Sequence, residues 1–285
     1  DEATWMSAAT KAQAKDKLEN FIIKIGYPDK WKDYSGLQVD DSLSLYENMA
    51  NISEFFTKDA IARKVNKPVD KTEWGMTPQT INAYYNPTTN EICFPAAILQ
   101  PPFFDPTADD AMNYGGIGGV IGHEMSHGFD DQGSQFDKTG NQHNWWTAAD
   151  KKNFESRTKI LVDHFNKIEL AGKKVNGQMT LGENIGDNGG LNIAFRALQN
   201  VMKTEKLGVK DGFTPEQRFF LAWARVWAGN ARPEYLQYLM TVDVHSPNEA
   251  RVNGALPMVD SWYKAFNIKK GDKLFVPKNK RAHIW

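Results

Sequence analysis

The chain has only one cysteine, Cys93, among its 285 residues. An intrachain disulfide is therefore impossible, and a metal site built from paired cysteines is excluded as well. Because extracellular eukaryotic domains of this size often carry several cysteines, the scarcity favours a bacterial protein. Long apolar runs are also lacking, since none approaches the ~18 residues that a membrane-spanning helix needs.

Neither sign of charge is in excess. The chain has 34 Lys and Arg against 35 Asp and Glu, which gives a net charge of −1. This balance offers no electrostatic attraction to nucleic acid or to an anionic membrane, so neither is expected as a partner. The first residues, from Asp1, contain neither an initiator Met nor a charged-then-apolar leader. We therefore expect a mature or excised piece of a longer protein.

Hydrophobic periodicity predicts helices over most of the chain. The first is predicted to end near Gly26, with one apolar stripe made of Leu18, Phe21, Ile22 and Ile25. The second is predicted from about Ser42 to Val65, with an inward face made of Leu45, Met49, Ile52 and Phe56. Residues 81–85 and 91–94 instead predict two strands joined by a turn. Many helices with one small hairpin exclude a parallel α/β sheet and indicate an α+β fold.

Two more helices have recognisable starts. Thr147 is a capping residue ahead of an amphipathic segment, with Asp150 at the third helical position. Thr214 begins a capping box with Gln217, and Pro215 occupies the first helical position. The four glycines between residues 114 and 120 are poor helix formers. They are expected where another backbone or a substrate approaches closely.

The strongest motif is His-Glu-Met-Ser-His at residues 123–127, an H-E-x-x-H pattern. His123 and His127 are four residues apart and share one helix face, so both rings can bind one ion with Glu124 beside them. Neutral imidazole suits Zn²⁺, and a catalytic site needs only one more protein ligand plus a water. The motif therefore predicts one catalytic zinc ion per chain.

The third zinc ligand must come from a second helix. Glu183 lies 56 residues after His127 and has Asp187 four positions later on the same helix face. One of these carboxylates can bind the metal while the other accepts a hydrogen bond from a ligating histidine. Spacing alone leaves open whether this acidic pair is a ligand set or a solvated helix face.

Five segments resemble, in the same order, the neprilysin family of zinc metallopeptidases, which includes endothelin-converting enzymes and bacterial oligopeptidase O. They are residues 82–85 (NAYY), 123–131 (HEMSHGFDD), 181–190 (LGENIGDNGG), 232–235 (RPEY) and 244–247 (VHSP). The resemblance implies a thermolysin-like zincin catalytic domain over residues 1–285, mainly α-helical with a small β-sheet edge. Family members are much longer, and their additional N-terminal region forms a helical lid. This chain is therefore expected to be the C-terminal catalytic portion, with its own missing N-terminal region as a partner.

The resemblance also implies a role for each matching residue. The zinc ligands would be His123, His127 and Glu183. Glu124 would take a proton from the zinc-bound water and deliver it to the leaving amine, and His245 would stabilise the tetrahedral intermediate. Asp187 would orient His123, and Asp130 would do the same for His127.

A cleft for extended peptides is implied as well. Asn82 and Ala83 match a strand that pairs with the substrate backbone, and Arg251 matches an arginine that binds a substrate carbonyl. The apolar pocket for the side chain after the cleaved bond would be lined by Ile98, Phe103, Val120, Val226 and Trp227. Gly119 stands where some relatives carry a larger side chain, which predicts a deeper pocket.

The leading hypothesis is a zinc metalloendopeptidase that hydrolyses oligopeptides on the amino side of hydrophobic residues. A zinc exopeptidase is an alternative, but it needs a group that holds a free peptide terminus, and none is recognisable. An inactive or incomplete zinc-binding fragment that serves as a binding module is a third hypothesis, against which the intact Glu124 speaks. An extracytoplasmic bacterial location, periplasmic or surface-anchored, is favoured over a cytoplasmic one.

Overall fold

A computed structural model describes residues 3–285, so Asp1, at which the expected domain begins, lies outside the described residues. The helices are α1 (Ala8–Glu19), α2 (Leu45–Lys64), α3 (Asp110–Asn113), α4 (Gly119–His127), α5 (Ala148–Phe165), α6 (Leu181–Val201), α7 (Pro215–Val226), α8 (Pro233–Val242), α9 (Asn248–Asn253) and α10 (Asp260–Phe266). The strands are β1 (Ile22–Gly26), β2 (Tyr84–Asn86), β3 (Glu91–Pro95), β4 (Glu169–Leu170) and β5 (Lys173–Lys174). The expected mainly helical α+β fold is confirmed. Within this described part, no helix combines the length and apolar character needed to cross a membrane.

The predicted helix starts are confirmed. Thr147 caps α5 by accepting a hydrogen bond from the backbone N–H of Asp150. Thr214 opens α7 with a reciprocal capping box, and Ser44 opens α2 in the same way. These side chains bond to backbone N–H groups that have no partner inside the helix, which is why a local pattern identifies them.

The prediction that the first helix runs to Gly26 is wrong. α1 ends at Glu19, and residues 22–26 form β1, which pairs in parallel with β3 in a sheet of order β1-β3-β2. The predicted hairpin is the antiparallel pair of β2 and β3. Apolar residues at positions 22, 23 and 25 are compatible with both a helical and a strand periodicity. The segment forms a strand because it pairs with β3. The sheet therefore contains a parallel pair that the sequence pattern did not predict.

The predicted inward face of α2 is exposed. Leu45 is 79% exposed and Met49 is 54% exposed, and no residue of this helix is buried. Ile23 and Ile25 on β1 are exposed as well. The other two residues of the predicted face are partly covered, since Ile52 is half-buried and the ring of Phe56 contacts Tyr34 and Lys32.

Helix α6 lies at the centre of the buried core. Its Leu181 and Ile185 pack in one cluster with α5, and its Leu191 and Phe195 pack in a second cluster with α7 and α10. A third cluster lies between the sheet and α4. The helix with the H-E-x-x-H motif is therefore held between the sheet and α6.

Glycines allow α4 and α6 to approach closely. A Cβ atom at Gly122 would lie 2.8 Å from the Cα atom of Gly190, so neither position can carry a side chain without displacing the other helix. The close approach expected at the glycine-rich segment before the motif is observed at Gly115 and Gly116, where a Cβ would clash with the backbone oxygens of Phe219 and Phe103, respectively. Gly119 does not deepen a substrate pocket, because a Cβ there would lie 2.8 Å from the ring of Trp223.

We expect Gly122→Ala to destabilise the fold and Gly118→Ala to leave it intact. In the first variant the methyl group forces α4 away from α6, and overpacking of this kind typically costs ~1–3 kcal/mol. At Gly118 the nearest atoms are 3.4 Å or more away, so a methyl group fits. Alanine also favours a helix by ~1 kcal/mol over glycine. Urea unfolding measures both free energies, and equal values for the two variants would contradict the packing argument.

Candidate metal centre

Helices α4 and α6 bring the predicted ligands together. The nearest ligand atoms of His123, His127 and Glu183 all lie within 4.8 Å of one another. Nε2 of His123 is 2.9 Å from Nε2 of His127 and 3.2 Å from Oε2 of Glu183. Two imidazoles and a carboxylate that converge in this way match the donor set of catalytic zinc sites, which keep a fourth position open.

The electrostatics of this cluster suit a cation. Oε2 of Glu183 is buried and makes no hydrogen bond with the described residues. Burial opposes a charged ring on His123, but the carboxylates of Asp187 and Glu183 outweigh it and raise the pKa of His123 to about 10. Although burial raises the pKa of Glu183, the nearby histidines bring it below its usual range. Surroundings that favour a positive charge on an imidazole also favour a bound cation, so these residues fit a zinc ion.

Each ligand ring has a carboxylate on its far side. Nδ1 of His123 is 2.9 Å from Oδ1 of Asp187, and Nδ1 of His127 is 2.7 Å from Oδ2 of Asp130. With its proton on Nδ1, each ring donates to its carboxylate and turns Nε2 toward the cluster. Asp187 and Asp130 can therefore set the tautomer and the orientation of both rings.

Glu124 lies beside these ligands on α4 and is 6% exposed. Burial raises the pKa of its carboxyl group, although the charges of His123 and His127 act against the rise. A carboxylate with increased proton affinity is a better base near neutral pH than one in water.

His245 reaches the cluster from the loop between α8 and α9. Its Nε2 is 3.4 Å from Oε2 of Glu183, and its Nδ1 is 2.7 Å from Oδ1 of Asp243. The neighbouring Ser246 donates a hydrogen bond to Asn184, which attaches this loop to α6. Asp243 was not predicted from the sequence, although an aspartate two residues before a candidate histidine is a pattern that could have identified it.

Arg251 is buried against the ligand cluster. Its Nε and Nη2 donate to the two carboxylate oxygens of Asp187, at 2.8 Å and 2.6 Å. Its Cζ lies 3.8 Å from the ring centroid of Trp227, and its Nη2 is 3.8 Å from Oε2 of Glu183. Residue type alone would class this arginine as a surface charge, whereas the structure makes it part of the site.

The residues assigned to the apolar pocket fall into two buried clusters. Ile98, Phe103 and Val120 pack between the sheet and α4. Val226 and Trp227, at the end of α7, pack in the cluster formed by α6, α7 and α10. Ile98 and Val120 are themselves buried core residues. Phe103, Val226 and Trp227 are half-buried, so these three retain surface that a ligand can contact.

Asn82 and Ala83 immediately precede the edge strand β2. Asn82 is exposed and Ala83 is buried, and the side-chain oxygen of Asn82 accepts a hydrogen bond from the N–H of Ala83 at 2.9 Å. In the sheet of the described residues, β2 pairs on one side with β3 and has no strand on the other. An extended peptide can therefore pair with this edge.

The chain is similar in sequence to known peptidases. Residues 82–282 match the profile of peptidase family M13. The neutral endopeptidase of Lactobacillus helveticus is 40% identical over 282 residues, which cover 99% of this chain and 42% of that protein. Neprilysin of Homo sapiens is 39% identical, with 100% of this chain and 39% of that protein covered. The chain thus spans less than half the length of these relatives.

Two solved structures are similar over nearly the whole chain. The zinc metalloprotease Zmp1 of Mycobacterium tuberculosis, in complex with an inhibitor, superposes with a TM-score of 0.96 at 47% identity, covering 100% of this chain and 44% of that one. PepO from Lactobacillus rhamnosis superposes with a TM-score of 0.90 at 38% identity, covering 99% of this chain and 43% of that one. The resemblance to the neprilysin family is confirmed, and this chain belongs to peptidase family M13.

Proposed function

We propose that this chain is the catalytic portion of a zinc metalloendopeptidase. The observation that carries the proposal is the convergence of His123, His127 and Glu183 within 4.8 Å, with Glu124 buried beside them. Three protein ligands with an open fourth position are typical of catalytic rather than structural zinc. Relatives named neutral endopeptidase and neprilysin, and a solved zinc metalloprotease, support the same reaction class.

The catalytic roles in hydrolysis would be shared by a few side chains. Bound zinc would polarise the scissile carbonyl group and lower the pKa of a water toward ~7. Glu124 would accept the proton of the attacking water and pass it to the leaving amine. His245, oriented by Asp243, would donate a hydrogen bond to the oxyanion that forms at the former carbonyl oxygen. Asp187 and Asp130 would keep the ligand rings in the required orientation.

Oligopeptides in an extended conformation are the proposed substrates. Pairing with the edge at Asn82 and Ala83 would give affinity without reading sequence. The half-buried surfaces of Phe103, Val226 and Trp227 would accept an apolar side chain, which favours cleavage on the amino side of hydrophobic residues. Arg251, which lies beside Glu183, would bind a substrate carbonyl near the cleaved bond.

Quenched fluorescent peptides that differ only in the residue after the scissile bond test this proposal. We expect the zinc-loaded chain to cleave peptides with Phe or Leu there at least ~10–200-fold faster, as kcat/KM, than peptides with Gly, because a single methylene group in an apolar pocket already accounts for that range. Mass spectrometry of the products identifies the cleaved bond. Cleavage confined to a free terminus would indicate an exopeptidase instead.

We also propose that the parent protein's N-terminal region packs against this chain. The relatives are more than twice as long, since this chain covers 42% and 39% of two of them. Leu45 and Met49 on the apolar face of α2 are exposed, as expected of a surface that another segment covers. The extracytoplasmic bacterial location stays a prediction, and the single cysteine and the bacterial relative support only its bacterial part.

Two aspartate variants should separate metal binding from catalysis. Asp187→Asn changes the group that accepts from the ligand His123, so we expect ~10–100-fold weaker zinc binding. Asp243→Asn affects His245, which is not a ligand, so zinc affinity should stay unchanged. Its kcat should fall by at most the ~10²–10³-fold that loss of an oxyanion donor costs. Chelator competition and kcat measurements check both, and equal losses of zinc affinity would contradict the separate roles.

A further inference from the structure

Lys17 on α1 is a buried lysine to which neither the motifs nor the proposed mechanism gives a role. Its side chain is 1% exposed. Its Nζ donates three hydrogen bonds, to the carbonyl oxygens of Gly128 at 2.7 Å, Gly133 at 2.6 Å and Phe136 at 2.8 Å. All three carbonyls belong to the segment that follows α4, residues 128–136, which we term the metal turn. An ammonium has three donors, and this arrangement uses every one of them.

Aromatic rings complete the surroundings of this ammonium. The ring centroids of Tyr85, Phe129 and Trp145 lie 5.7, 5.7 and 5.9 Å from Nζ, within the range of cation–π attraction. Burial lowers the pKa of Lys17 to about 8, while the charges of Asp130 and Asp137 act to raise it. The side chain therefore remains an ammonium at neutral pH.

The metal turn also carries Asp130. Oδ1 of Asp130 accepts hydrogen bonds from the backbone N–H groups of Gln132 at 2.9 Å and Gly133 at 2.6 Å. Oδ2 remains for Nδ1 of His127, at 2.7 Å. Gly133 thus bonds to Asp130 through its N–H and to Lys17 through its carbonyl oxygen. The placement of the Asp130 carboxylate depends on the turn that Lys17 closes.

We propose that Lys17 is a positioning residue for the metal centre: it fixes the metal turn, the turn fixes Asp130, and Asp130 fixes the ring of His127. The inference rests on the proposed function, because it concerns a zinc ligand. Without the ammonium, the carbonyl oxygen of Gly128 loses the Nζ donor, and those of Gly133 and Phe136 keep only the N–H of Phe136 at 3.1 Å and Nε1 of Trp145 at 3.0 Å. The weakened turn then opens to bring these oxygens to water. His127 then loses its outer partner, a change that weakens metal binding by ~10–100-fold.

Lys24→Met is the matched control for Lys17→Met. Lys24 is also buried, and its Nζ bonds to the carbonyl oxygen of Glu73 at 2.6 Å and to Oε2 of Glu91 at 2.8 Å, outside the metal turn. Both variants remove a buried ammonium, so both lower the free energy of unfolding. A purely structural role for Lys17 would reduce the folded fraction in both cases and leave the zinc affinity of folded molecules unchanged.

Zinc affinity is measured by chelator competition on samples whose folded fraction is determined by circular dichroism. We expect ~10–100-fold weaker binding in Lys17→Met and wild-type affinity in Lys24→Met. Because Lys17 acts through Asp130, adding Lys17→Met to Asp130→Asn should cause little further loss. The visible spectrum of the Co²⁺-loaded chain, which reports ligand geometry, should shift in Lys17→Met and in Asp130→Asn. Lys17→Gln, which keeps two amide donors, replaces Lys17→Met if the latter does not fold.

The outcomes distinguish this inference from the function on which it rests. Equal zinc affinities in Lys17→Met and Lys24→Met, or additive losses with Asp130→Asn, overturn the positioning role and leave the peptidase proposal intact. Failure of the unmodified chain to bind zinc overturns both.

Discussion

Glu124→Gln is expected to slow peptide hydrolysis by ~10²–10⁴-fold while the zinc ion stays bound. Glutamine has nearly the size of glutamate but cannot accept the proton of the attacking water, and general base catalysis contributes ~10²–10⁴-fold to a rate. We expect kcat to fall by that factor with little change in KM, because the substrate contacts remain. A neutral side chain suits this buried position, where burial already raises the pKa of the glutamate, so the variant should fold. Zinc content and kcat measured on one sample check the result.

The control for this variant is Glu155→Gln, which makes the same chemical change on the exposed surface of α5. It should retain full activity. Equal kcat values for Glu124→Gln and Glu155→Gln would remove Glu124 from the mechanism. If the zinc-loaded wild-type chain also fails to hydrolyse any peptide, the hypothesis of an incomplete zinc-binding fragment is favoured. Addition of the N-terminal region proposed above would then show whether a covered cleft is required.

Local chemistry accounts for what could be predicted from the sequence. The spacing of His123 and His127 determines their relative placement on a helix without knowledge of the rest of the fold. The caps at Thr147 and Thr214 depend on only a few adjacent residues, and the structure contains both. Glu183 differs, because its distance from the histidines depends on how α4 packs on α6. The spacing of Glu183 and Asp187 left that question open, and the resemblance to a family was needed to choose.

The strand that the sequence pattern missed and the buried charges that it did not reveal both depend on long-range partners. A short apolar run such as residues 22–26 becomes a strand here because β3 lies beside it, which no local pattern reveals. Lys17 lies on a polar helix, where a lysine is normally solvated, and only the path of residues 128–136 places three carbonyl groups around it. Arg251 is similar, because its buried pairing with Asp187 joins residues 64 positions apart. Buried charges of this kind are hard to identify before the fold is known.

Glu183→Ala is expected to cause the largest loss of zinc affinity among the variants described above. It removes a ligand rather than a partner of one, so the loss should exceed the ~10–100-fold expected for Asp187→Asn. It also removes a carboxylate that raises the pKa of His123 and so favours positive charge at the cluster. Zinc binding couples to folding, so zinc at ~100 times its Kd should stabilise the wild-type chain by ~2.7 kcal/mol. Thermal unfolding with and without zinc should show no such stabilisation in Glu183→Ala.

Asp131→Asn tests whether that effect reflects ligation or only the local loss of negative charge. Asp131 adjoins Asp130, and its Oδ1 lies near the start of α6, 3.1 Å from where a Cβ of Gly182 would stand. It is close to the ligand helix but outside the group of converging ligands, so its variant should retain zinc and the stabilisation that zinc gives. Equal losses of zinc in Asp131→Asn and Glu183→Ala would indicate a general electrostatic effect. Full zinc content in Glu183→Ala would refute the assignment of the third ligand.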